Sequence, residues 1–356
     1  MTRFLFSILF LVFSFNGCAR EKVIGGPVVV RTNSSSAVIV WVVEGSEVRL
    51  GPAEGVTTRI APALRAEHIG LTGLKAGTKY YYEISDHPEA KGYFKTAPKG
   101  EASYQFVVFG DTRTRPELHQ RIVDAIVNTT EPDFVIHTGD LVSNGLDTAK
   151  WPVFFRIEKP LLRKTVFFPV LGNHERNSRD FYEFFDVTTP YYSFDWGEAH
   201  FTVLNSDLGN AAESKEAREK FWAEQLRWLE EDLAAHQNMP LRFVAMHHPP
   251  FTAVKKRQKE AKPVMDMVPL FEKYKVSAVL NGHDHNYQHH LKNGVHYIVT
   301  GGGGAPLYPV DAPLKGITLK VERIEHFVRV KVEGSHAVLT AVALDGHIID
   351  TLELGQ

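Results

Sequence analysis

Runs of β-branched and aromatic residues, each closed by a turn that carries a metal-binding residue type, recur along this chain. They are FVVFGD (Asp111), VIHTGD (Asp140), FFPVLGNHE (Asn173, His174), FVAMHH (His247) and VLNGHDH (His283, His285). Apolar runs of about four to eight residues bounded by Gly predict buried strands. Between them the spacing becomes helical: Leu118, Ile122 and Ile126 share one face, and Trp222, Leu226, Leu229 and Leu233 another. Both stripes read as core faces. Strands and helices in alternation predict an α/β domain over residues 103–356, with helices covering the sheet faces. Ligands of such sheets bind beyond the carboxyl ends of the strands, which is where these polar groups fall. Aspartates, an asparagine and histidines gathered at one edge are hard to explain as packing, and they point to a metal site.

Residues 23–98 have a different texture. VVVRT, AVIVWVV, EVRLG and KYYYEIS are short strand-like runs separated by Ser, Gly and Asn clusters, without helical periodicity. They predict a separate all-β sandwich. The segment LKAGTKYYY (residues 74–82) resembles the fibronectin type III corner, in which a tyrosine hydroxyl ties back to upstream backbone. Beyond Ile317 the pattern is strand throughout, with Asp345 and Gly346 marking a hairpin turn.

Composition narrows the function classes. The chain has 356 residues, 44% of them hydrophobic, enough for one large or two ordinary cores. A net charge of -2 offers no basic surface for nucleic acid, and no nucleic-acid partner is expected. The single cysteine, Cys18, excludes an intramolecular disulfide. Arg3 precedes an apolar run over residues 4–15, which is short for a bilayer span but suits the core of a secretory signal over residues 1–17. The sequence Asn16-Gly17-Cys18 resembles the lipobox of bacterial lipoproteins. That resemblance implies export, lipid modification of Cys18 and membrane attachment at the cell envelope.

The motif set resembles the calcineurin-like metallophosphoesterases and, with the upstream strands, is most similar to the purple acid phosphatase branch. GNHE and GHDH are its most specific parts. The resemblance implies a sandwich of two mixed β-sheets flanked by helices, preceded by a fibronectin type III-like domain. It also implies two metal ions. Asp111, Asp140 and His285 would bind the first, and Asp140, Asn173, His247 and His283 the second, with Asp140 shared. Oxygen and imidazole ligands without thiolate suit iron, zinc or manganese. Such an ion pair activates water for in-line attack on phosphorus. His174 is expected to donate to the phosphoryl oxygen or protonate the leaving group, oriented by Glu175. The family form His-x-Pro, matched by His247-His248-Pro249, assigns the metal to His247, since adjacent strand residues face opposite ways. His248 is left as a supporting or substrate-facing group. His289 is either a phosphate contact or a surface histidine.

The chain departs from the family twice. Purple acid phosphatases carry Gly-Asp-x-x-Tyr at the second motif, whereas this chain reads Gly139-Asp140-Leu141-Val142-Ser143, so a tyrosinate colour is not expected. Other members use Asp-x-His at the first motif, whereas here it is Asp111-Thr112-Arg113. The first ion is left with three protein ligands. Arg113 cannot ligate it, and serves either as a bidentate phosphate contact or in an ion pair. Lys255, Lys256, Arg257, Lys259 and Lys262 follow the His247 motif. They form either a solvated loop or a surface that gathers anionic substrate. The glycine run 301–304 reads as a turn requiring positive φ or as a close approach of backbone to ligand. The expected function is hydrolysis of small phosphomonoesters outside the cytoplasm. Phosphodiester or nucleotide hydrolysis by the same ions, and an envelope binding protein with impaired catalysis, are the alternatives. The oligomeric state is not legible.

Overall fold

The computed structural model describes residues 21–57, 59–260 and 262–355. The apolar run 4–15 and Cys18 lie outside the described residues. The N-terminal segment forms β1 (Lys22–Val30), β2 (Ser36–Leu50), β3 (Arg59–Thr72), β4 (Lys79–Ile84) and β5 (His87–Lys95). Alternation then begins with β6 (Ser103–Phe109), α1 (Pro116–Thr129), β7 (Phe134–His137), α2 (Trp151–Leu162), β8 (Val166–Pro169) and α3 (Arg179–Phe184). It continues through β9 (Tyr192–Trp196), β10 (Ala199–Val203), α4 (Leu208–Ala211), α5 (Lys215–Ala235), β11 (Leu241–Ala245) and α6 (Val268–Lys273). Next come β12 (Ala278–Asn281), β13 (Tyr287–Lys292) and β14 (Val295–Thr300). The chain closes with β15 (Thr318–Glu322), β16 (His326–Glu333), β17 (His336–Ala343) and β18 (Ile348–Leu354).

The strands form a nine-stranded sheet, β18-β17-β16-β6-β7-β8-β1-β2-β3, and a seven-stranded sheet, β15-β13-β14-β12-β11-β10-β9. Parallel strands β6–β8 lie in the middle of the first, and β10, β11, β12 and β14 run parallel in the second. Both sheets are therefore mixed. Phe106, Phe134 and Phe168 of the first meet Phe194, Phe201 and Phe243 of the second in a shared aromatic core. Helices α1 to α3 cover the outer face of the first sheet over Val107, Phe109, Val135 and Phe167. Helices α5 and α6 cover the second over Val244, Val279 and Tyr297. The helical stripes are core faces: Ile122 and Ile126 are buried in α1, and Trp222, Leu229 and Leu233 in α5. Ser214 caps α5, its hydroxyl accepting from the Ala217 N–H at 3.1 Å. No helix among the described residues is long and apolar enough to cross a membrane.

The N-terminal strands correct the expectation of a separate sandwich. Two layers do face each other, because Phe94 of β5 packs with Val29 and Ile39, and Tyr80 and Tyr82 of β4 cover the same core. The Tyr80 hydroxyl accepts from the Lys75 N–H at 2.8 Å, the tie-back expected of that corner. Yet β1 runs parallel beside β8, so β1–β2–β3 form the edge of the nine-stranded sheet. The reason lies on the other face. Val28, Val30, Val40 and Val42 are buried in one cluster with Phe155 of α2, and a free three-stranded layer would leave them wet. A run buried on both faces is the signature of an embedded strand. AVIVWVV and EVRLG prove to be one strand, β2, with a register shift between Glu44 and Glu47. Strand β3 escapes sequence reading because, as an edge, it carries Arg65, Glu67 and His68.

Candidate metal centre

The parallel strands of both sheets end at one seam. Asp111 follows β6, Asp140 follows β7, Asn173 and His174 follow β8, His247 follows β11, and His283 and His285 follow β12. Asp111, Asp140 and His283 have φ of 60°, 57° and 68°, a left-handed region that non-Gly residues seldom enter. Cross-links between the turns hold them there. The Asp111 N–H donates to Gly139 O at 2.9 Å, Thr112 N–H to Asp140 O at 3.1 Å, and Gly282 N–H to His247 O at 3.0 Å. Backbone strain gathered at one edge marks a functional site. Of the run 301–304 only Gly304 has positive φ. Gly301 is required for space instead, since a Cβ there would lie 2.8 Å from Asp111 Oδ2.

One cluster has the spacing of a coordination shell. His247 donates Nδ1–H to Thr138 O at 2.8 Å, which leaves the Nε2 lone pair free. That nitrogen lies 3.1 Å from Asn173 Oδ1, 3.2 Å from His283 Nδ1 and 3.4 Å from Asp140 Oδ1. Asn173 Oδ1 and His283 Nδ1 are also 3.2 Å apart. Ligands about 2.1 Å from one ion sit roughly 3.0–3.4 Å from each other, so these atoms could hold one. Burial, then the neighbouring His248, His247 and Arg257, holds the His283 pKa well below its usual range, leaving a neutral ring.

Beside it, Asp111 Oδ2 accepts from the His283 N–H at 2.9 Å, while Oδ1 is buried with no hydrogen-bond partner among the described residues. His285 donates Nδ1–H to Pro306 O at 2.7 Å and turns Nε2 to within 3.3 Å of that Oδ1. Two acceptors facing each other in a buried site fit a cation between them. Burial opposes the Asp111 charge, but His285, His247 and Arg113 overcome it and hold the carboxyl below its ordinary pKa. Tyr308 stacks on His285 with ring centroids 4.2 Å apart.

The family model for calcineurin-like phosphoesterases matches residues 104–287, more than half of the chain. The chain belongs to that family. The chain is 28% identical over 294 residues to purple acid phosphatase 15 of Arabidopsis thaliana, covering 67% of this chain and 53% of that protein. It is 27% identical over 357 residues to the probable inactive purple acid phosphatase 1 of the same plant, covering 77% and 57%. It thus spans about half the length of the curated relatives it matches. The yellow lupin purple acid phosphatase PPD1 shares the fold, with a TM-score of 0.72 and 18% identity over 93% of this chain and 74% of that one.

Within this site, several side chains meet partners other than those expected. Glu175 does not orient the His174 ring. Its carboxylate accepts backbone N–H groups from Gly172 (2.8 Å), Asp140 (2.9 Å), Leu141 (2.8 Å) and Val142 (3.2 Å), and so ties the Asp140 turn to the GNHE loop. Burial and then the Asp140 charge push its pKa up to about 8, while the Val142 and Gly172 N–H groups pull it down. His174 is oriented by Ser143 O, 2.8 Å from Nδ1, with its backbone N–H on Asp140 Oδ1 at 2.9 Å. Its Nε2 lies 3.9 Å from Asp140 Oδ2. His289 is neither a phosphate contact nor a surface residue. It is buried, with Nδ1 2.7 Å from Asp350 and Nε2 2.9 Å from His296. His248 stands beside His283, ring centroids 4.2 Å apart, with Nδ1 3.0 Å from Ser206 Oγ. Arg113 donates Nε–H to Asp140 Oδ2 at 3.1 Å.

Some participants have little or no sequence signal. The carbonyls of Thr138, Ser143 and Pro306, which orient His247, His174 and His285, have no side-chain signature at all. Arg257, which contacts His283 and pairs with Asp284, was legible only as part of a charge run. Thr112 and the fully buried His137, with Oγ1 and Nε2 3.2 Å apart, back the first turn.

Proposed function

We propose that the chain is a dinuclear metal-dependent phosphomonoesterase acting outside the cytoplasm. The observation that carries this reading is the convergence of His247 Nε2, His283 Nδ1, Asn173 Oδ1 and Asp140 Oδ1 at 3.1–3.4 Å, beside the partnerless Asp111 Oδ1. Asp140, Asn173, His247 and His283 would hold one ion, and Asp111, Asp140 and His285 a second. Iron, zinc or manganese fits this donor set. When bound, the pair supplies Lewis acidity and acidifies water. His174 faces the same space and is suited to hydrogen-bond the phosphoryl oxygen and protonate the leaving alkoxide. His248, at the opening, contacts substrate. The purple acid phosphatase relatives support phosphate esters as the substrate class.

Residues 22–95 are read as a reduced fibronectin type III-like unit fused to the catalytic sheet, supported by the Tyr80 corner. The apolar run 4–15 and Cys18 support export and a lipid anchor at a bacterial envelope. A second reading, weak catalysis with a binding role, is favoured by the Arg113–Asp140 pair, which occupies a carboxylate oxygen of the first ion. Metal content with turnover of p-nitrophenyl phosphate and its bis-ester tests these readings. Two ions with monoester preference support the proposal, and diester preference makes the chain a phosphodiesterase. No turnover after reconstitution with iron, zinc or manganese leaves the binding role.

A further inference from the structure

The cationic run after His247 does not simply trail into solvent. Arg257 and Lys262, with Arg218 of α5, line a cavity of about 510 Å³ that also includes Ser206, His248 and His283. The cavity therefore opens directly beside the ligands of the proposed second ion. Its volume suits a small organic leaving group rather than water alone.

Its charges are not equally matched. Arg257 is paired, 3.1 Å from Asp284 and 3.6 Å from Glu260. Among the described residues Arg218 Nη1 meets the carbonyls of Gly209, Ala212 and Glu213, at 3.2–3.5 Å. Lys262 Nζ meets those of Pro249 and Pro250, at 3.4 and 3.3 Å. Among the described residues neither cation has a carboxylate at ion-pair distance. The acids that share the cavity are otherwise engaged. Asp284 is buried against Arg257, Thr252 and Gln288. Asp207 accepts from Asn210 at 2.7 Å, and Glu260 is half exposed at the rim. Holding cations partly out of water without a direct ion-pair partner is unfavourable, and an anion entering the cavity offsets that cost. Burial lowers the Lys262 pKa although the charges of Asp284 and Glu260 raise it, so an anion in direct contact would further favour the charged amine.

We propose that this cavity is a subsite for a second phosphate on the leaving group, held by Arg218 and Lys262, so that small bisphosphorylated compounds are preferred over simple monoesters. The proposal rests on the phosphomonoesterase reading for its chemistry. The cavity itself is tested by binding. Phosphate release from 1,3-propanediol bisphosphate and from propyl phosphate is compared in the metal-loaded full chain. Calorimetric titration with propane-1,3-bisphosphonate and propylphosphonate runs alongside. The expected result is a preference for the doubly charged compound of about tenfold or more in kcat/KM and in affinity. In Arg218→Ala and Lys262→Ala, made separately, that ratio falls toward one, while Glu219→Ala on the exposed face of α5 keeps it. Equal affinity for the two phosphonates in the unmodified chain overturns the subsite, as does an unchanged ratio in both variants. A bisphosphonate preference that depends on Arg218 and Lys262, without turnover of either ester, upholds the subsite and overturns the phosphomonoesterase reading instead.

Discussion

Arg113 Nε lies 3.1 Å from Asp140 Oδ2, the oxygen left over when Oδ1 turns toward His247. If Asp140 were shared between two ions as proposed, the guanidinium would compete with the first ion for this oxygen. The departures from the family at the first two motifs are thus joined by a cation on a proposed ligand.

Arg113→Ala is expected to tighten metal retention at the first site about tenfold, because one charge-assisted hydrogen bond is worth ~1.5–3 kcal/mol. Metal content across graded chelator concentrations reads this directly. Weaker retention would show that Arg113 aims Asp140 rather than competing for it.

His174→Ala is expected to lower kcat by about 10²–10⁴, the usual range for a positioned acid, with both ions retained. Its backbone N–H, which donates to Asp140 Oδ1 at 2.9 Å, survives the substitution. Unchanged turnover would remove the imidazole from the mechanism.

Glu175→Ala strips the N–H groups of Gly172, Asp140, Leu141 and Val142 of their acceptor in a fully buried site. Unsatisfied buried donors cost ~1–3 kcal/mol each, so a loss of about 3 kcal/mol or more is expected, together with reduced metal content. Urea unfolding and metal analysis check both. A Tm equal to that of the unmodified chain would mean that water replaces the carboxylate.

His200 supplies a pH dependence away from the metal centre. It is buried, with Nδ1 2.7 Å from Asp195 and Nε2 2.9 Å from Asp232. Burial opposes its charge, but the two carboxylates overcome this and raise its pKa, while those of Asp195 and Asp232 are lowered. A raised folded pKa stabilises fully below the unfolded value of about 6.5 and ceases to do so as pH climbs through the folded one. The acids lose their share only as pH falls through their lowered values. The Tm difference between the unmodified chain and His200→Gln should therefore peak at mildly acidic pH and shrink in alkali. A difference independent of pH would mean that the imidazole is neutral throughout.

The placement of the candidate metal centre was legible because its residues sit at a boundary that periodicity reveals, the end of a buried strand. Asp111, Asp140, Asn173, His247, His283 and His285 all follow strand ends, and the family resemblance named them as ligands. The partners of Glu175 and His289 were not legible, because the Asp140 turn and Asp350 are distant in sequence and are brought to them only by folding.

What the sequence determined by itself is the local order of the chain: which runs are strands, which stripes are helix faces and which turns carry donor atoms. Those follow from backbone periodicity and side-chain chemistry, which act over a few residues. Only the tertiary structure decided which sheet the N-terminal strands join, because burial of Val28 and Val40 depends on α2, more than a hundred residues away. It alone decided that Arg113 grips Asp140 and that Arg218 and Lys262 share a cavity. Electrostatic partnership depends on distance in space, and that distance is created only when the two sheets close on each other.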